Sequence, residues 1–142
     1  MSLTPLDNLP LSQVRFARPT NQLERVVEFY SHGIGLPEIG RFEGHDGYDG
    51  VMLGLPGHSY HLEFTQHRDG CPAPAPNPDH LLVLYIPDEK AIDQIVQRLG
   101  AMGYPPVPPE NPYWKALGVT IEDPDGWRVV LMNSPGFSTT RT

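Results

Sequence analysis

Apolar positions along the chain change their period several times, and each change marks an element. Leu11–Ala17 mixes apolar and polar side chains and fits a first strand. Pro19 should end it, because proline lacks an N–H and restricts the residue before it, here Arg18. The spacing then lengthens. Leu23, Val26, Val27 and Tyr30 recur as one face of a helix, with Asn21 suited to cap it and Glu24 in the capping-box position. Gly33, after His32, suits the C-terminal end. Ile39–Phe42, Gly50–Leu55 and Tyr60–Thr65 read as strands, with Gly44–Gly50 as a turn and Pro56-Gly57-His58 as a hairpin connection. In the last of these strands His61 and Glu63 lie two apart and share a face, while Tyr60, Leu62 and Phe64 share the other.

A proline-rich stretch at 70–78 separates this half from a second half that repeats its order. His80–Ile86 fits a strand, Pro87-Asp88 breaks it, and Glu89–Leu99 carries Ile92, Ile95, Val96 and Leu99 at helical spacing. Val107 suits a short strand, and 108–115 reads as a loop holding Tyr113 and Trp114. Gly118–Glu122 and Arg128–Asn133 are the last strands, joined by Asp123-Pro124-Asp125-Gly126, whose turn chemistry is strong. His80 follows Arg15 by 65 residues and Val130 follows Glu63 by 67, so the offset is nearly constant. This argues for one domain at 11–133, built from modules of about 11–67 and 79–133, with a tail at 134–142.

Composition narrows the function classes. With 142 residues, 39% of them hydrophobic, the chain can bury a real core as a single domain. A net charge of -7 from 17 acidic and 10 basic side chains, with no basic stripe or Cys-x-x-Cys finger, argues against nucleic acid as a partner. No apolar run is long enough to span a membrane, and MSLTPLDNLPLSQ lacks the basic start and apolar core of a signal peptide, so a cytoplasmic location is expected. The single Cys71 excludes an internal disulfide framework and has no adjacent base that would make it a nucleophile. Walker A, dinucleotide-fingerprint and Gly-x-Ser-x-Gly motifs are absent.

Four segments, in order and at their spacing, carry a resemblance: NQLERVVEFYSHGIGLPEIG at 21–40, YHLEF at 60–64, DHLLVLYIPD at 79–88 and EDPDGWRVVLMN at 122–133. Together they resemble the vicinal oxygen chelate superfamily, which includes glyoxalases, bleomycin-resistance proteins and extradiol dioxygenases. The resemblance implies an α+β fold in which two βαβββ modules form a curved mixed sheet around a cleft. It also implies a small organic ligand and a homodimer. In metal-dependent members the first and last strands of each module supply inward ligands, usually His or Gln and Glu. Carried over, those positions are Arg15, Glu63, His80 and Val130. Only Glu63 and His80 suit a divalent ion: a guanidinium offers no lone pair and valine has no donor atom. A catalytic metal site needs about three protein ligands, which His61 or His67 would have to complete.

Beside a third possibility, a scaffold used mainly for dimerisation that a filled cleft would favour, two functions lead. One is a small-molecule-binding protein without a cofactor, in which Arg15 hooks an anion, Glu63 balances its charge and His80 gives or takes a hydrogen bond. Tyr48 would cover the cleft, and Tyr113 and Trp114 would form an aromatic wall. The other is a lyase or dioxygenase using Zn, Ni, Fe or Mn on Glu63 and His80 to act on a small oxygenated substrate. Plainer roles stand beside these. Arg15 and Glu63 can simply neutralise each other, Tyr113 and Trp114 can anchor their loop, Phe29 and Tyr30 can pack the helix on the sheet, and Trp127 can lie at an interface.

Overall fold

A computed structural model describes residues 9–55, 57–72 and 76–137. Its first module runs β1 (Val14–Pro19), helix α1 (Leu23–Glu28) with a π-helical continuation Phe29–Ile34, β2 (Glu38–His45), β3 (Tyr48–Gly54) and β4 (Tyr60–His67). The second runs β5 (Leu81–Tyr85), α2 (Glu89–Ala101), β6 (Pro106–Val107), a 3₁₀ turn Pro112–Trp114, β7 (Gly118–Glu122) and β8 (Arg128–Met132). Each module is a four-stranded mixed sheet, ordered β1-β4-β3-β2 and β5-β8-β7-β6. In both, the first strand pairs in parallel with the last and the other pairs are antiparallel. The fold is therefore α+β, two βαβββ modules in tandem. No helix among the described residues is long and apolar enough to cross a membrane.

Strand alternation sends Leu62 and Phe64 of β4, with Val51 and Leu53 of β3, toward the helices. Val129 and Leu131 of β8, with Ile121 of β7, do the same in module two. All join one core with Val26, Phe29, Ile95 and Leu99, so the two modules share a hydrophobic interior on their helix sides. The helices meet closely at Gly33, where a Cβ would run into the Leu99 side chain. Arg98 of α2 reinforces that crossing by donating to the Gly33 carbonyl at 3.1 Å.

A polar junction ties the modules together beside this core. The Asp123 carboxylate is buried and accepts from Arg18 Nη2 at 2.6 Å and from the Tyr30 hydroxyl at 2.7 Å. Its other oxygen accepts from the backbone N–H groups of Asp125 and Trp127, both at 2.9 Å. The Arg18 guanidinium also lies 5.0 Å from the Phe64 ring and 5.1 Å from the Trp127 ring. Burial, then the Asp123 charge, raise the Tyr30 pKa well above the ordinary tyrosine value.

Several local expectations change. Asn21 does not cap α1: Gln22 holds the N-cap position without a side-chain bond. Asn21 instead exchanges two 2.9 Å hydrogen bonds with the backbone of Cys71 and so pins the chain leaving module one. Glu24 pairs with Arg41 at 3.0 Å rather than closing a capping box. The glycine-rich stretch 44–50 is mostly hairpin strand, turning only around Asp46 and Gly47, both at positive φ. β1 starts later than expected and includes Pro19, as an edge strand permits. Pro56, part of the linker at 73–75, and 138–142 of the expected tail lie outside the described residues, as do 1–8.

Candidate functional site

Parallel pairing of β1 with β4 sets Arg15 beside His61 and Ala17 beside Glu63. This places Arg15, His61 and Glu63 on the sheet face opposite Leu62 and Phe64, away from the helices. Arg15 Nε donates to His61 Nε2 at 2.8 Å, and Arg15 Nη1 lies 3.4 Å from Glu63 Oε2. The arginine side chain is 47% exposed and that of Glu63 12%. His61 is buried at 4%. Because Nε2 accepts, the imidazole is neutral and carries its proton on Nδ1. That Nδ1 is buried without a partner among the described residues. A buried donor left unpaired costs about 1–3 kcal/mol.

Module two presents a different surface. Leu81 and Val83 of β5 pair with Arg128 and Val130 of β8, on the face away from the helices. An open pocket of about 710 Å³ lies there, lined by Leu81, Val83, Pro112 and Trp114, with Asp79, Glu110 and Asn111. The 3₁₀ turn is set by Asn111, whose side chain accepts from the Tyr113 N–H at 3.0 Å. The turn lies tight on β7: a Cβ at Gly118 would strike the Trp114 carbonyl oxygen. Tyr113 packs edge-on against Trp114 at 4.9 Å and is 69% exposed. Thr120 of β7 is buried, with its hydroxyl unpartnered among the described residues.

The expected residues thus form separate groups. Arg15 and Glu63 come together, with the buried His61 beside them on the same sheet face. Trp114 lines the pocket and Tyr113 flanks it. Tyr48 sits at the β2–β3 hairpin with its ring edge-on to His67 at 4.7 Å, which places it beside neither group. His80 falls one residue before β5 and stacks on Trp127 at 6.0 Å and 15°. Its place in the repeat shifts accordingly. Arg15 pairs with His61 two residues before Glu63, and Leu81 pairs with Arg128 two residues before Val130. Leu81, not His80, is therefore the counterpart of Arg15 in module two. Glu63 and His80 are engaged separately, the first by Arg15 and the second by Trp127. Among the described residues no cluster of three or more His, Cys, Asp or Glu side chains could hold a metal ion. No sequence pattern groups the junction residues Arg18, Asp123 and Trp127, since Asp123 reads locally as a turn residue and nothing local reveals its second set of donors.

Residues 14–65 match the model of a YycE-like N-terminal domain and residues 79–133 that of a YycE-like C-terminal domain. The chain belongs to the YycE-like family. It is 56% identical over 127 residues to the uncharacterized protein YycE of Bacillus subtilis (strain 168), spanning 89% of this chain and 91% of that protein. The crystal structure of a YycE protein of unknown function from Bacillus subtilis superposes with a TM-score of 0.86 at 55% identity, over 91% of this chain and 94% of that one. More distant structures share the fold. A trypanothione-dependent glyoxalase I from Leishmania major gives a TM-score of 0.66 at 18% identity, covering 85% of each chain. TnmS3, an antibiotic binding protein from Streptomyces sp. CB03234, gives 0.62 at 22% identity, covering 88% of this chain and 98% of its own. The YycE-like fold is thus that of the vicinal oxygen chelate superfamily.

Proposed function

We propose that this YycE-like protein binds a small organic molecule without a metal, in a cleft completed by two copies of the chain. The observation that carries the reading is the Arg15–His61–Glu63 arrangement at the expected metal position. The fold family implies a divalent ion there, but the residues do not fit one. The register-equivalent positions hold Arg15, Glu63, Leu81 and Val130, so only one offers a donor atom. His61 cannot supplement it as placed, because its Nε2 lone pair already accepts from Arg15 and its Nδ1 is protonated.

Surface chemistry supports the dimer. β1 and β5 are unpaired edges of their sheets, with Val14 40%, Phe16 66% and Tyr85 44% exposed. Setting β1 of one copy beside β5 of another covers these side chains. It also brings the Arg15 group of one copy toward the mixed pocket of the other, which carries Asp79, Glu110 and Asn111 beside its apolar side chains. Leu81, Val83 and Trp114 then supply the apolar wall, which is how small-molecule sites are generally built. TnmS3, an antibiotic binding protein, agrees with small-molecule binding as a use of this fold. A cytoplasmic setting is consistent with the lone free Cys71.

Three measurements on protein purified without chelator test the reading: metal content, sedimentation, and thermal shift against a library of small molecules. We expect no stoichiometric metal, a dimer, and library members that raise the melting temperature in wild type. Tightly held stoichiometric metal, with binding lost in Glu63→Ala, would overturn the metal-free reading. A monomer at micromolar concentration with intact ligand binding would overturn the shared cleft.

A further inference from the structure

Arg15 differs from the arginines that the junction and the sheets hold in place, while Arg25 and Arg68 lie exposed, near Gln22 at 3.3 Å and Asp69 at 4.0 Å. Arg18 is closed into the Asp123 junction, Arg41 is held by Glu24 and Glu38, Arg98 is spent on the carbonyls of Gly33 and Ile34, and Arg128 bonds Glu122 and the Pro108 carbonyl. The shortest bond of Arg15 is instead to a neutral imidazole, at 2.8 Å. Its carboxylate neighbour stands at 3.4 Å, longer than the roughly 2.7–2.9 Å of a strong charge-assisted bond. The guanidinium is thereby aimed without being fully neutralised, and Nη2 has no protein partner among the described residues.

We infer that Arg15 is a receptor for a singly charged oxyanion on the ligand and that His61 is the residue that positions it. The inference rests on the proposed binding function and names the ligand class of that site. His61 is 4% exposed and leaves Nδ1 unpartnered, so packing alone gives no reason for an imidazole there. What an imidazole supplies, and an aliphatic side chain does not, is the Nε2 lone pair that turns the Arg15 fork outward. Planar N–H donors in that fork match the two oxygens of a carboxylate or phosphonate monoester. Glu63 sets the charge limit. Its carboxylate beside the receptor repels a second negative charge on the ligand, so a monoanion is favoured over a dianion. An apolar body attached to the oxyanion would extend toward the Leu81, Val83 and Trp114 surface contributed by the second copy.

Benzoate, its neutral isostere benzamide, and inorganic phosphate at pH 8 serve as probes on the full-length protein, followed by the Arg15 Nε–H resonance and the His61 ring nitrogens. We expect saturable shifts with benzoate, weaker ones with phosphate, and none with benzamide. The His61 nitrogens should show the Nδ1–H tautomer. Arg15→Gln should abolish the benzoate response. His61→Leu should weaken it about tenfold, equivalent to about 1.4 kcal/mol. His61→Gln, whose Oε1 can stand near the place of Nε2, should restore most of it, which a purely structural role for His61 would not produce. Equal binding of benzamide and benzoate would overturn the oxyanion receptor. A His61→Gln protein as weak as folded His61→Leu, or an Nε2–H tautomer in wild type, would overturn the positioning role. If neutral library molecules bind and benzoate does not, this inference fails while the binding function stands. If nothing in the library binds, the binding function itself fails.

Discussion

Replacing Asp123 by alanine should destabilise this protein more than any substitution on its open sheet faces. The side chain is fully buried and takes four hydrogen bonds: from Arg18, Tyr30, and the backbone N–H groups of Asp125 and Trp127. Its removal leaves a guanidinium only 16% exposed with no counter-charge, and strands a buried tyrosine hydroxyl. Breaking one side of a buried ion pair costs about 3–5 kcal/mol. The aromatic rings beside Arg18 retain part of its stabilisation, which favours the lower half of that range. For a chain of this size the loss corresponds to a fall in melting temperature of about 10 °C. Urea unfolding followed by far-UV circular dichroism gives the free energy, and calorimetry gives the temperature. A double-mutant cycle of Asp123→Ala with Arg18→Met isolates the pair. Removing both charges should cost less than the sum of the single changes, because the double variant leaves no orphaned ion. A loss below about 1 kcal/mol for Asp123→Ala, or strict additivity in the cycle, would refute the claim that this network joins the modules.

Three further outcomes are expected. Tyr30 has a raised pKa in the folded state, so its contribution is complete below the ordinary value of 10.0 and is lost as the pH climbs above it. Alkaline unfolding should therefore be displaced upward in Tyr30→Phe relative to its own neutral stability, as seen in urea midpoints measured across pH 8–11. Gly33→Ala should cost about 1–3 kcal/mol by forcing Leu99 away from the helix crossing, read as a lower urea midpoint with an unchanged slope. Gly118→Ala should lift the Trp114 turn off β7, red-shifting tryptophan emission and weakening pocket ligands while leaving helix content intact.

The modular plan was legible because it rests on period: helical spacing in 23–30 and 92–99, alternation in 60–64 and the last strands. Its limits were set by tertiary partners. Asn21 satisfies the local rule for an N-cap, yet the Cys71 backbone offers it a donor and an acceptor at once, and that pairing wins. Gly44 and Gly50 mark a turn by composition. In the fold Gly50 lies in β3, where a Cβ would collide with the Phe42 ring, so its role there is close packing across the hairpin. Arg18 and Asp123 are 105 residues apart, and no local pattern links an arginine before a proline to an aspartate in a turn. The Arg15–Glu63 pairing was accessible because the superfamily resemblance places both at inward positions of the first module, but the role of His61 needed the hydrogen-bond geometry.

His80 shows how one residue can matter more to chemistry than to fold. Shifting the start of β5 from 80 to 81 leaves the topology unchanged, yet strand parity exchanges the histidine for a leucine at the counterpart of Arg15. The two modules then differ in kind. Module one offers an arginine, a histidine and a glutamate at 15, 61 and 63, while module two offers Leu81, Val83 and Trp114 beside Asp79, Glu110 and Asn111. Under the proposed function, a cleft lined by one face of each suits a ligand with a polar end and an apolar body. The same asymmetry bears on the metal alternative. Introducing a single histidine at Arg15 would leave Leu81 and Val130 without donors, and would also release Glu63 and His61 from the guanidinium that now organises them. Under the proposed function, restoring the two-module ligand set that the superfamily implies would require changes at Leu81 and Val130 as well, because neither side chain carries a donor atom.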